Sequence, residues 1–106
     1  MFLARLFHWS NWHRRGPCLD HLHVVLYTRR GCHLCEVAER QLEAARRRHG
    51  LMVEIIDVDG QSELVERYGS LVPVVTIQGK VRFRGAINSV LLNRLLRAEA
   101  VKVRSR

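Results

Sequence analysis

A pair of cysteines separated by two residues, within residues 27–35 (YTRRGCHLC), is the feature of this chain best suited to covalent chemistry. Such a pair can hold a metal ion, form a structural disulfide or act as a redox-active dithiol. Cys32 follows a predicted strand and opens a predicted helix, where free backbone N–H groups and the positive end of the helix dipole favour the thiolate. Cys35 lies one turn further along the same face, better shielded and close enough to form a disulfide. This placement favours a dithiol in which Cys32 attacks and Cys35 resolves.

Positively charged side chains flank the dithiol in the sequence. Arg29 and Arg30 precede Cys32, and His33 follows it, so these three residues are candidate site residues that would support a thiolate. The two arginines fit an ordinary solvated loop as well, since charged side chains are mostly exposed.

A zinc site is the alternative use of these cysteines. Cys18 and His21 have the spacing of a ligand pair, and with the C-x-x-C pair they would complete a tetrahedral set. The predicted strand His23–Thr28 separates the two pairs, however, and spans about 20 Å at about 3.3 Å per residue. We therefore expect the pairs to lie at opposite ends of the sheet. Cys18 is then a free or buried thiol, and we expect no bound metal.

The predicted elements follow the order βαβα and then ββα. Apolar and β-branched residues mark the strands, and apolar residues at helical spacing mark the helices. The first half predicts parallel strands joined by a crossover helix, and the second half adds an antiparallel hairpin and a covering helix. The predicted strands are His23–Thr28, 51–59, Val74–Ile77 and Lys80–Arg84, and the predicted helices are 34–49, 62–69 and a last one capped by Asn88 or Ser89.

Length and charge set the remaining expectations. The chain has 106 residues, enough for one domain, and a formal net charge of +8. Residues 67–106 hold nine Lys or Arg against Glu99, which would suit an anionic partner or simply a solvated surface. No apolar run is long enough for a transmembrane helix, and the aromatic, basic start does not resemble a signal peptide, so we expect a cytoplasmic protein. We predict a loosely ordered leader at 1–22 with little membrane contact, a domain at 23–98 and a basic tail at 99–106.

Three stretches of the sequence resemble the glutaredoxins: VVLYTRRGCHLCEVAERQLE, LVPVV and GKVRFRGAIN. The resemblance is closest to the short bacterial glutaredoxin-like proteins of the thioredoxin superfamily and covers about residues 23–97. It implies an α/β fold with a four-stranded mixed sheet of order 2-1-3-4 and three flanking helices. It also implies that Val72-Pro73 is a cis peptide facing the dithiol, with the Val72 backbone available to pair with a substrate.

The resemblance further implies a set of contacts with glutathione. Arg29 would pair with the glycyl carboxylate, and Arg67 would supply a second carboxylate contact. Gly85 belongs to the turn before the last helix, and the polar pair Asn88-Ser89 would meet the γ-glutamyl end. The chain departs from the family pattern between its cysteines, where His33-Leu34 replaces Pro-Tyr, and before Val72, where Leu71 replaces a threonine.

These features predict a thiol–disulfide oxidoreductase that reduces protein or glutathione mixed disulfides. We expect glutathione or a reductase to restore the dithiol, a monomeric state, no bound cofactor and no specific nucleic-acid partner. The alternative is a non-enzymatic thioredoxin-like module that binds a partner or senses oxidation through the same two cysteines.

Overall fold

The structure is a computed structural model that describes residues 18–105. The part of the predicted leader at 1–17 lies outside the described residues. The four strands are β1 (His23–Thr28), β2 (Met52–Asp57), β3 (Val74–Ile77) and β4 (Lys80–Arg84), and the three α-helices are α1 (His33–His49), α2 (Ser62–Tyr68) and α3 (Ser89–Ser105). A 3-10 helix at Val58–Gly60 follows β2, so this strand is shorter than the predicted one.

The four strands form one mixed sheet in the order β2-β1-β3-β4. Strand β1 pairs parallel with β2 and antiparallel with β3, which in turn pairs antiparallel with β4. Gln78 and Gly79 join the last two strands with φ values of 53° and 80°, the left-handed backbone that a two-residue hairpin turn requires. The predicted strand order, the mixed sheet and the three flanking helices are confirmed.

Helix α1 packs its apolar face onto the sheet. Ala38, Leu42 and Ala45 are buried on this face, within the same core as strand residues 24 and 26 and the α3 leucines at 92 and 96. The helix ends at Gly50, whose left-handed backbone lets its N–H donate to the carbonyl of Arg46. The helix is therefore fixed along its length, with Cys32 at its beginning and Gly50 at its end.

The inner boundary of the predicted leader is wrong. Leu19 and Leu22 are buried in the main core, and the Leu19 N–H donates to the His49 carbonyl at 2.8 Å. Burying apolar side chains releases water from their surface, and this burial ties the segment before β1 to the domain. The domain therefore includes residues 18–22.

The predicted basic tail at 99–106 is also wrong over its described part, because α3 continues to Ser105. Ala100 and Val103 continue the apolar face of this helix and pack, partly buried, against the core. The Lys102 ammonium lies 3.1 Å from a Glu99 carboxylate oxygen one turn away. No α-helix of the described residues has the length and apolarity needed to cross a bilayer.

Candidate active site

The dithiol lies at the first turn of α1. Cys32 is the N-cap residue, with an extended backbone, and a disulfide joins it to Cys35 with the Cα atoms 5.2 Å apart. The Cys35 backbone N–H donates to Cys32 Sγ at 3.1 Å. Cys32 is half-buried, whereas only 2% of Cys35 is exposed. Cys32 is therefore the more accessible of the two cysteines, and the helix offers a hydrogen bond to its sulfur.

The loop before β3 reaches the same end of the sheet as the dithiol. The Val72-Pro73 peptide is cis, as the resemblance implied, and Pro73 is fully buried. Val74 pairs with Tyr27 near the end of β1, from which the chain continues directly towards Cys32. Val72 is half-buried, and its backbone lies in this loop, at the end of the sheet where α1 begins.

Gly85 is hydrogen-bonded to the loop that contains the cis peptide. Its N–H donates to the carbonyls of Leu71 and Pro73 at 3.1 and 2.8 Å. Its φ of 79° is a left-handed value that side chains rarely adopt. The predicted site residue Gly85 thus makes contacts within the protein that hold the cis-proline loop in place.

Arg29 makes three hydrogen bonds within the chain. Its Nη2 and Nε donate to the two carboxylate oxygens of Asp59 at 2.8 and 3.2 Å, and its Nη1 donates to the Gly69 carbonyl at 3.0 Å. These bonds to Asp59 raise the pKa of Arg29, and the same bonds hold the pKa of the Asp59 carboxyl below its ordinary value. The guanidinium predicted to pair with a substrate carboxylate is already paired with a carboxylate of the protein.

The other predicted cations lie on exposed parts of the surface. Arg30 and His33 are exposed beside Cys32, and the His33 Nδ1 atom is 3.9 Å from a Glu36 carboxylate oxygen. A protonated His33 would add positive charge at the start of α1. Both predicted site residues therefore lie on the surface next to Cys32, at the start of α1.

Arg67 lies beside two neighbouring tyrosine rings. Its guanidinium carbon lies 5.9 Å from the ring centre of Tyr68, and the Tyr68 and Tyr27 rings are 4.6 Å apart. Burial of Tyr27, followed by the proximity of Tyr68, raises the pKa of the Tyr27 hydroxyl. The predicted glutathione contact at Arg67 is therefore placed on α2, beside the strand end occupied by Tyr27.

Asn88 and Ser89 secure the start of α3. The Asn88 side-chain oxygen accepts from the Leu91 N–H at 3.1 Å, the bond expected of an N-cap. The Gln41 amide of α1 donates to the Ser89 hydroxyl at 2.7 Å and to the Ile87 carbonyl at 3.1 Å. Both predicted site residues thus have internal hydrogen bonds: Asn88 caps α3, and Ser89 joins α3 to α1.

Three residues that bind predicted site residues were missed from the sequence. Asp59, Gly69 and Gln41 bind Arg29 or the start of α3, but none stands in a recognisable motif. For Gln41 a signal existed, because a polar residue interrupts the apolar face of α1. Asp59 and Gly69 carry no comparable signal.

Cys18 lies apart from the dithiol. Its exposed Sγ is 3.8 Å from the carbonyl oxygen of Gly50, at the opposite end of α1 from Cys32. Within residues 18–105, no three His, Cys, Asp or Glu side chains are grouped as metal ligands. The four residues considered for zinc do not come together.

The fold and this site define a thioredoxin-like protein with a C-x-x-C pair. The model of the family described as Glutaredoxin-like domain (DUF836) matches residues 23–97, and the chain belongs to this family. No curated protein matches it. The two cysteines at disulfide distance within this fold support a redox function.

Several solved thioredoxins share the fold. A mutant thioredoxin from Halobacterium salinarum NRC-1 has a TM-score of 0.59 and 22% identity, over 77% of this chain and 76% of that chain. Mitochondrial thioredoxin 3 from Saccharomyces cerevisiae, in its oxidised form, has a TM-score of 0.55 and 15% identity, over 88% and 89%. Oxidised thioredoxin from Plasmodium falciparum has a TM-score of 0.55 and 17% identity, over 92% and 91%. At these identities the likeness concerns the fold alone.

Proposed function

We propose that the protein is a thiol–disulfide oxidoreductase in which Cys32 is the nucleophile and Cys35 the resolving thiol. The observation that carries this proposal is the unequal setting of the two sulfurs. Cys32 is half-buried and its Sγ accepts a hydrogen bond from the Cys35 backbone N–H, whereas Cys35 is buried. A thiolate at Cys32 is therefore both stabilised and reachable.

The reaction begins with the reduced dithiol. The Cys32 thiolate attacks one sulfur of a substrate disulfide, forms a mixed disulfide and releases the other sulfur as a thiolate. Cys35 then loses its proton and attacks Cys32 Sγ, which frees the second substrate sulfur as a thiol. Two electrons pass from the dithiol to the substrate, and the Cys32–Cys35 disulfide remains. Glutathione or a dithiol reductase supplies two electrons to restore the dithiol, so no bound cofactor takes part.

Protein disulfides and glutathione mixed disulfides are the proposed substrates. Leu34, between the cysteines, and Leu71, beside the cis-proline loop, are exposed apolar side chains and suit contact with a polypeptide. The family resemblance suggests that the Val72 backbone pairs with such a substrate. The Arg30 guanidinium adds positive charge that favours the Cys32 thiolate, and a protonated His33 would add to it.

The test uses two single cysteine variants in a Cys18→Ser background. After incubation with glutathione disulfide, we expect the Cys35→Ser protein to accumulate one glutathione adduct on Cys32, since the resolving thiol is absent. The Cys32→Ser protein should accumulate none. Mass spectrometry of the intact proteins measures both. An adduct on the Cys32→Ser protein alone would reverse the assigned roles.

Turnover separates an enzyme from a redox sensor. We expect the protein to catalyse the glutathione-coupled reduction of bis(2-hydroxyethyl) disulfide, a small neutral substrate, and the Cys32→Ser protein to be inactive. Reversible oxidation of the dithiol with no turnover would contradict the oxidoreductase and favour the sensor.

A further inference from the structure

Arg29 lies three residues before the proposed nucleophile, yet its charge is neutralised by the protein itself. The guanidinium makes a two-point contact with the Asp59 carboxylate and a third contact with the Gly69 carbonyl. This arrangement joins the loop that carries Cys32 to the segment after β2 and to the end of α2. Two hydrogen bonds from one guanidinium to the two oxygens of a carboxylate are also the geometry by which arginine ordinarily binds a carboxylate ligand.

The Asp59 carboxylate is held in place by its own backbone. Asp59 lies in the 3-10 helix at Val58–Gly60, and its N–H donates to the Asp57 carboxylate at 2.9 Å. A carboxylate fixed within the chain has a high effective concentration at Arg29. A substrate carboxylate must displace this internal partner before it can bind the same guanidinium.

Gly69 gives independent evidence that the contact is built into the fold. A Cβ atom at this position would lie 3.2 Å from Arg29 Nη1 and would also collide with the Val65 carbonyl. Gly69 is buried, and its φ of −52° is open to any residue. The close approach of the arginine and the helix end, not the backbone angle, favours glycine here.

Water still reaches the pair. The Arg29 and Asp59 side chains are 38% and 47% exposed. A carboxylate on a small substrate could therefore reach Arg29 if Asp59 carried no charge. The selectivity of this position depends on the internal carboxylate and not on burial of the arginine.

Resting on the oxidoreductase function proposed above, we propose that Asp59 sets substrate selectivity by occupying Arg29. The protein then favours disulfides whose groups near Arg29 are uncharged, as in the interior of a polypeptide. It disfavours small disulfides that present a carboxylate there. This selectivity differs from the glutathione contact that the resemblance implied for Arg29.

The test compares two oxidants that differ in the charge of their glycyl ends. Glutathione disulfide carries a glycyl carboxylate on each half, and its bis(glycyl ethyl ester) carries none. Each oxidises the reduced protein to the Cys32–Cys35 disulfide and yields two thiols. Stopped-flow mixing gives the two second-order rate constants in a Cys18→Ser background, and their ratio, acid over ester, is the measured selectivity.

Two variants remove one negative charge each from the same segment. Asp59→Asn removes the partner of Arg29. Asp57→Asn leaves that ion pair intact, and its amide oxygen can still accept the N–H of residue 59. We expect Asp59→Asn to raise the acid-to-ester ratio roughly three- to tenfold, in the range of an exposed charge-assisted pair. We expect Asp57→Asn to leave the ratio within about twofold of the parent, because long-range charge effects are weak in salt.

The outcomes are distinguishable. An unchanged ratio for Asp59→Asn, or an equal rise in both variants, would overturn the proposed selectivity while the ester still oxidises the dithiol. If the parent protein reduced neither oxidant, the oxidoreductase function would fail and this inference with it. Adding Arg29→Ala to Asp59→Asn should return the ratio to the parental value, and a persistent rise would show that Arg29 is not the binding group. Circular dichroism of each variant confirms that the fold is retained.

Discussion

The hydrogen bond from the Cys35 backbone to Cys32 Sγ can be removed without removing the side-chain volume. Cys35 lies in the first turn of α1, where proline, which lacks an N–H, is tolerated better than in a helix interior. The carbonyl that a proline ring at this position would approach belongs to Gly31, which precedes the helix. Cys35→Pro therefore removes the donor, whereas Cys35→Ser retains it. In a Cys18→Ser background, each protein has Cys32 as its single thiol.

The expected magnitude follows from the strength of a hydrogen bond to a charged acceptor. Such a bond contributes about 1.5–3 kcal/mol, and each 1.4 kcal/mol is about a factor of ten in an equilibrium constant. Its loss should lower the thiolate fraction of Cys32 about ten- to a hundredfold. The remaining thiolate is more basic and hence more nucleophilic, which offsets about half of this effect on a logarithmic scale. We therefore expect Cys32 to react about three- to tenfold more slowly in the proline variant.

Alkylation by iodoacetamide at pH 5.5, followed by mass spectrometry, measures these rates. The same reaction in concentrated urea is the control, because the two unfolded proteins should react alike. Circular dichroism and a thermal melt establish that the proline variant keeps its helices. Equal rates in two folded variants would refute the assignment of this backbone hydrogen bond as a stabiliser of the Cys32 thiolate.

Three further predictions follow from the packing and the ion pair. Leu19→Ala should lower the free energy of unfolding by about 2–4 kcal/mol, and Leu91→Ala, at an exposed leucine, by less than about 1 kcal/mol; urea denaturation measures both. Gly69→Ala should cost about 1–3 kcal/mol in the same assay, because its methyl group would displace a carbonyl and Arg29. The lowered pKa of Asp59 means that its pairing stabilises the fold at neutral pH and is lost as the pH falls through that pKa. Asp59→Asn should therefore be less stable than the parent at pH 6, and urea titrations at pH 2 should show no such difference.

The regular parts of the fold were predictable because their signals are local. Apolar alternation and helical spacing predicted the strands and helices, and two residues, Gln78 and Gly79, marked the hairpin turn. The family resemblance supplied the strand order and the cis peptide, which spacing alone does not determine. The position of Cys32 at the start of a helix followed from the same local patterns.

The two predicted ends of the domain were wrong for a different reason. Leu19 and Leu22 lie in a segment too short to show a hydrophobic periodicity. Only the assembled core shows that they are buried. At the other end, the stretch NSVLLNRLLRAEA predicted the last helix as far as Ala100, and in the structure Val103 continues its apolar face. A longer window would have extended the last helix past Ala100, into the stretch that was interpreted as a tail.

Side-chain partners were the least predictable part of the site. Arg29 and Asp59 are 30 residues apart in the sequence, and Gln41 and Ser89 are 48 apart. Local patterns do not choose among distant partners, because such contacts depend on how the elements pack. The resemblance therefore placed Arg29 and Ser89 near a ligand, while the structure gives both of them partners within the protein.

The two ends of α1 explain why exposure alone does not identify the nucleophile. Cys18 is more exposed than Cys32, so accessibility by itself would select Cys18. At the end of the helix, however, Cys18 Sγ lies 3.8 Å from the Gly50 carbonyl, so this sulfur meets a hydrogen-bond acceptor. At the beginning of the helix, Cys32 Sγ meets a backbone N–H, a donor that favours the thiolate. The two ends of α1 therefore offer the two sulfurs opposite hydrogen-bonding groups. The donor at the beginning of the helix supports the proposed roles of Cys32 as nucleophile and Cys35, one turn further, as resolving thiol.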